Sequence, residues 1–174
     1  MRIDFRDAQR INELGYAGFL RIIPVNRFSR YHGALLTVNA NGEPSEFTYN
    51  YVEINHPALW GDIDREQYAI RRLCASLLKK CVIAPQLVLC LAGETYHELF
   101  HSEILLAVPV CCVEARSSEE GKLDKAFVWA PENPAEGSTA QVLFDELNRK
   151  GITTALFERT AAGLKEVFSI PVDA

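Results

Sequence analysis

"QLVLCLAG", residues 86–93, is an almost uninterrupted apolar run. A strand buried on both faces reads this way, and such strands are usually central and parallel. Upstream, "DREQYAIRRLCASLLKKC" (64–81) is the clearest helix in the chain. Ile70, Leu73, Cys74, Leu77 and Cys81 recur at three and four and predict one buried face. Asp64 and Gln67 have capping-box spacing, Arg71, Arg72, Lys79 and Lys80 lie on the other side, and Pro85 closes the segment. Downstream, a short helix fits 95–104, and "ILLAVPVCCVEA" (104–115) predicts another buried strand from about Val108. Strands joined through helices pair in parallel.

The first third of the chain has a different pattern. "YAGFLRIIPV" (16–25), "ALLTVNA" (34–40) and "FTYNYVEI" (47–54) predict three strands, with Phe47, Tyr49 and Tyr51 on one face. "NRFSRYHG" (26–33) reads as a polar turn, and Asn41-Gly42 signals a hairpin because both positions tolerate positive φ. These three strands are therefore antiparallel. After the charged loop 116–125, "AFVWA" (126–130) predicts a strand. "STAQVLFDELNRK" (138–150) predicts a helix capped by Ser138 and Gln141, with Val142, Leu143 and Leu147 inward and Gly151 ending it. Residues 152–168 read either as a strand followed by a helix or as one helix. Phe157, Ala161, Leu164 and Phe168 support the helix.

The expected fold is a single-domain α/β protein with a mixed sheet. Three antiparallel strands are followed by helix–strand–helix–strand units, with the helices packed on the sheet. Within residues 1–174, residues 1–15 form an N-terminal extension or short helix. Residues 16–115 form the core sheet, and 116–174 a C-terminal strand and helices.

Hydrophobic residues make up 48% of the chain and charged residues 24%, ordinary globular values that suit one full core. No run of eighteen apolar residues suggests a membrane span, and the mixed, charged N-terminus lacks a signal-peptide core. A cytoplasmic location is expected. The five cysteines (Cys74, Cys81, Cys90, Cys111, Cys112) include no C-x-x-C pair and sit among apolar neighbours, so reduced core thiols are expected.

Charge is unevenly spread. Residues 1–36 carry six arginines against Asp4, Asp7 and Glu13, a net of +3. Residues 94–146 carry eleven acids against three bases, a net of −8. The basic N-terminal third could contact nucleic acid. Its candidate binding residues are Arg27, Arg30, Tyr31 and His32, where arginines interleave with aromatics as phosphate contact and base stacking require. The same composition suits a protein interface, and a protein partner is expected.

"HELFH" (97–101) is the other candidate site. On a helix, His97 and His101 would project from one face to a single zinc, and Glu98 would act as base on the bound water. It resembles the zincin metalloprotease core. The longer metzincin form would need glycine and histidine where Ile104 and Ala107 stand. No histidine follows His101, so a downstream third ligand would be Glu114, Glu119, Glu120 or Asp124. The alternative is a short helix with the histidines polar and Leu99 and Phe100 packed inward, and it is preferred here.

The element order resembles the ribonuclease H-like superfamily over residues 16–115. That resemblance implies two divalent metal ions held by acids for phosphodiester cleavage, with an aspartate in the first strand and a second acid after the fourth. Here Ala17, Gly18 and Phe19 stand in the first strand, which has no acid; Asp4 serves only if the strand begins earlier. Glu94 matches the second position, and Glu136, Asp145 or Glu146 a later one. Without the first carboxylate, the ions lack a shared ligand. The leading expectation is therefore a non-catalytic interaction or regulatory module, within a nucleic-acid-processing assembly and without a cofactor. The alternatives are a zinc hydrolase using "HELFH" and a metal-dependent nuclease of ribonuclease H-like fold using Glu94.

Overall fold

The computed structural model of the chain describes residues 14–95, 99–100, 108–117 and 123–169. Six strands form one mixed sheet: β1 (Ala17–Val25), β2 (Arg30–Val38), β3 (Pro44–Glu53), β4 (Leu87–Leu91), β5 (Val110–Ser117) and β6 (Leu123–Ala130). Their spatial order is β3-β2-β1-β4-β5-β6. The pairs β1–β2, β2–β3 and β5–β6 are antiparallel, while β1–β4 and β4–β5 are parallel. The "QLVLCLAG" strand is therefore central and parallel, as its unbroken hydrophobicity requires. Through β5 this is the order of three antiparallel strands followed by parallel ones that the sequence predicts.

Among the described residues, helices α1 (Asp62–Lys80), α2 (Thr139–Arg149) and α3 (Thr153–Phe168) pack on the sheet. Alternation along the strands divides the core in two. On one face Leu20, Ile22, Val88, Cys90 and Cys112 meet Ile70, Leu73, Cys74 and Leu77 of α1. On the other, Phe19, Leu87, Leu89 and Cys111 meet Leu143 and Leu147 of α2 and Leu156 and Phe157 of α3. α3 reaches the edge strand closely: a Cβ on Gly163 would lie 2.8 Å from the Phe47 ring. No helix among the described residues is long and apolar enough to cross a membrane.

Several boundaries differ from expectation. β2 begins at Arg30 because the β1–β2 turn is tight: Asn26, Arg27 and Phe28 all take positive φ, and Ser29 N–H donates to Asn26 O at 3.2 Å. At the next turn only Gly42 takes positive φ, with its N–H on Asn39 O at 2.9 Å. α1 starts two residues early, at an N-cap Gly61 that makes no side-chain cap bond. Asp64 thus sits inside the first turn, where its charge suits the helix dipole, and not at a capping box. α2 has the expected cap, since Gln141 N–H donates to Ser138 Oγ. Its return bond falls one residue early, from Gly137 N–H to Gln141 Oε1. Its buried face is Ala140, Leu143, Phe144 and Leu147, while Val142 is exposed. Residues 153–168 are one helix. The N-terminal extension or short helix expected over residues 1–15 falls almost wholly outside the described residues.

Candidate site at the carboxyl ends of β1 and β4

Parallel pairing of β1 with β4 stops at Phe19↔Leu89, but β1 runs on to Val25 alongside β2. Ile22 N–H then has no strand acceptor on the β4 side. Beyond β4 the chain tightens into a turn, with Glu94 N–H and Thr95 N–H both donating to Leu91 O at 3.0 and 3.1 Å. This turn swings Glu94 back against β1. Its Oε2 accepts from Ile22 N–H at 3.1 Å, so a side chain replaces the missing strand.

The same carboxylate holds Arg21. Arg21 Nε lies 2.9 Å from both Glu94 oxygens, and a second guanidinium nitrogen lies 2.7 Å from Oε1. Another N–H donates to Phe157 O of α3 at 3.1 Å. Each of the two side chains is 17% exposed. An arginine inside an apolar strand is stable only when so paired, because burying an unpaired charge is strongly unfavourable. In this sheet the antiparallel part meets the parallel part at β1–β4, and Glu94 lies just past the carboxyl end of β4. Open α/β sheets place ligands at such points.

Beside the pair lies a cavity of about 390 Å³. Leu91, Val113, Ala115 and Phe157 give it an apolar wall, and Arg21, Lys125, Glu158, Thr153 and Thr154 bring polar groups to it. Lys125 Nζ bonds the hydroxyls of Thr153 and Thr154, so its partners there are neutral.

The residues present do not fit a two-metal cluster. β1 has no acid, and both Glu94 oxygens are already engaged by Arg21 and Ile22. Among the described residues no three His, Cys, Asp or Glu come together as a metal site. Glu94, the candidate acid after the fourth strand, is held in an ion pair by Arg21 of β1. Glu136, Asp145 and Glu146 do not line this cavity. Glu136 and Asp145 border a different pocket with Trp129 and Phe144, and Glu146 pairs at the surface with Arg149 and Lys150. Asp4, His97, Glu98 and His101 lie outside the described residues. Their neighbours Leu99 and Phe100 are helical and buried.

The expected binding cluster divides. Arg27 is exposed in the β1–β2 turn, and Arg30 is half-buried, ion-paired with Glu53 and lying over the Tyr51 ring at 4.9 Å. Tyr31 and His32 are strand residues on opposite faces, and both are buried. Tyr31 joins the α1 side of the core, while the His32 ring stacks on Phe168 with centroids 4.0 Å apart. Neither ring nitrogen of His32 has a hydrogen-bond partner among the described residues, and burial, then the Arg30 charge, lowers its pKa.

Sequence reasoning located Glu94 but missed Arg21, Lys125 and Glu158. The signal for Arg21 was available: it is the lone charge in "AGFLRIIPV". Lys125 and Glu158 are ordinary surface letters until α3 is laid on the sheet.

No family model matches the sequence, and neither does any curated protein. Among solved structures the chain is similar to endonuclease V from Streptomyces avermitilis, at 12% identity over 59% of this chain and 46% of that one, with a TM-score of 0.47. It is similar to Ciona intestinalis endonuclease V in complex with an inosine-containing DNA, at 14% identity over 80% of this chain and 56% of that one (TM-score 0.41). It is also similar to Marinitoga piezophila Argonaute with guide RNA and target DNA, at 11% identity over 77% and 25% (TM-score 0.36). The chain spans about half the length of the endonuclease V structures. The expectation of a non-catalytic interaction or regulatory module is corrected by these neighbours, which are endonucleases and a nucleic-acid-bound Argonaute.

Proposed function

We propose that the chain is a nuclease, cleaving phosphodiester bonds of nucleic acid at the carboxyl ends of β1 and β4. The observation that carries this reading is the forked Arg21–Glu94 pair set at the junction of the antiparallel and parallel parts of the sheet, beside an open cavity. A guanidinium held in one orientation is suited to a phosphate.

Arg21 has five N–H groups, and the contacts to Glu94 and Phe157 leave one on each terminal nitrogen. In this reading those two bind the phosphate oxygens and offset the charge that grows on them as the nucleophile adds to phosphorus. Glu94 is a positioning residue: it fixes the plane of the guanidinium through two oxygens. Lys125 supplies a second cation. Arg27 and Arg30, further out on the same hairpin, would contact the strand's backbone, with Tyr51 beside Arg30 offering a ring to a base. A metal ion would supply Lewis-acid activation in the superfamily, but this donor set does not fit it, so the proposal depends on the chain's own residues.

The test is cleavage of end-labelled single-stranded and duplex DNA and RNA, with chelator, magnesium or manganese. The proposal expects cleavage of at least one substrate, at least tenfold slower in Glu94→Gln. No cleavage of any substrate in any condition, or full activity in Glu94→Gln, would overturn it.

A further inference from the structure

The mismatch between this site and a metal centre points to a more specific reaction. The cavity brings together a carboxylate, Glu158, and an ammonium, Lys125. Lys125 bonds Thr154 Oγ1, and Thr154 lies one helical turn before Glu158 on α3. Side chains at that spacing share a helix face, with Cβ atoms about 5–6 Å apart. Acid and base thus stand near one another, with Arg21 on the same cavity and an apolar wall behind them. Among the described residues, the hydrogen bonds of Lys125 go to neutral hydroxyls. Its proton is not committed to a carboxylate there.

We infer that the cavity takes one ribonucleotide unit of an RNA strand and cleaves it without metal, using the substrate's own 2′-hydroxyl as nucleophile. This inference rests on the nuclease reading above. The base lies against Leu91, Val113 and Phe157. Glu158 accepts the 2′-hydroxyl proton as O2′ bonds to phosphorus. Arg21 holds the two non-bridging oxygens. The bond from phosphorus to the 5′-oxygen of the next nucleotide breaks, and that oxygen takes a proton from Lys125. The products are a 2′,3′-cyclic phosphate and a 5′-hydroxyl; no water and no oxidant enter. The carboxylate then passes its proton back to the amine through solvent. A volume of about 390 Å³ falls in the range of small-ligand sites, about 300–1,000 Å³.

The experiment uses the full chain in buffer containing a chelator. One labelled RNA strand is compared with the same sequence as DNA and as 2′-O-methyl RNA, and the product ends are read by mass spectrometry. The expected result is cleavage of RNA alone, with a cyclic phosphate end, and unbroken binding of the 2′-O-methyl strand. Glu158→Gln is expected to slow cleavage about 100-fold or more with Kd for the 2′-O-methyl strand unchanged, the usual range for a lost proton acceptor. Cleavage of DNA at a comparable rate, an absolute need for magnesium or manganese, or 5′-phosphate ends would overturn this inference and leave the nuclease reading standing. Absence of cleavage in all conditions would overturn both.

Discussion

Removing the guanidinium of Arg21 tests the site's construction directly. Arg21→Met keeps the length of the stem and deletes three contacts to Glu94 and the one to Phe157 O. Glu94 then keeps the Ile22 N–H alone among its present donors. Breaking a buried pair costs roughly 3–5 kcal/mol, and at 17% exposure water reaches both groups, so about 3 kcal/mol is expected. Glu94→Gln retains an acceptor for Ile22 but loses the charge, at about 2 kcal/mol. If the pair acts as a unit, the double variant loses about 3 kcal/mol where independent sites would lose about 5. The coupling is then about 2 kcal/mol. Urea unfolding followed by fluorescence of Trp60 and Trp129 measures all four corners of the cycle. In melting experiments Arg21→Met should lower Tm by about 6–12 °C, at roughly 2–4 °C per kcal/mol for a chain of this size. Additive losses, agreeing within about 0.5 kcal/mol, would refute the view that the pair closes the end of the sheet.

Three further outcomes follow from packing and charge. His32 has a folded pKa below its usual 6.5, chiefly through burial, so the unfolded chain binds more protons as pH falls past that value. Stability from this residue is therefore intact above about pH 6.5 and lost as pH drops toward the lower folded pKa; urea midpoints across pH 5–7.5 should show this, and His32→Leu should flatten that part of the curve. Burial lifts the Cys74 thiol to about 12 and also raises Cys111, and contact with Cys112 raises Cys90. A thiol reagent on the native protein should thus modify half-buried Cys81 first and the other four only on unfolding; prompt reaction at Cys90 or Cys112 would contradict the packing described. Ser138→Ala removes the α2 cap and should lower stability by about 1 kcal/mol in the same urea assay, with no effect indicating that the cap is not formed in solution.

What the sequence discloses and what it hides follow from how far each interaction reaches along the chain. "QLVLCLAG" reveals a central strand because burial on both faces leaves no alternation. The α1 stripe is legible for the same local reason. The start of β2 is not, because "SRYH" looks like a polar turn until Tyr31 and His32 are seen packing on opposite faces against α1 and α3. Val142 was expected inside α2 and Phe144 was not, since the helix meets Phe127 and Trp129 of β6 on a face that the helix alone does not specify. At the site, Glu94 is recognisable from its place after β4. Its partner is 73 residues away, so the pair exists only once β1 and β4 are neighbours. Where the resemblance implies an acid in the first strand, Ala17, Gly18 and Phe19 stand, and the lone charge of β1 is Arg21, further along the strand. Lys125 and Thr154 are 29 residues apart and meet only through the docking of α3.

Whether Arg21 acts on the phosphate of a nucleic acid strand is decided by single-turnover cleavage of labelled RNA by wild type and Arg21→Met, in chelator and with magnesium or manganese. Both proteins are first shown by fluorescence to be folded at the assay temperature. Cleavage by the wild type is expected, with a rate at least 100-fold lower in the variant, the scale of losing one charge-stabilising donor. Equal rates in the two proteins, or a wild type that leaves the strand intact with chelator, magnesium and manganese alike, would contradict it.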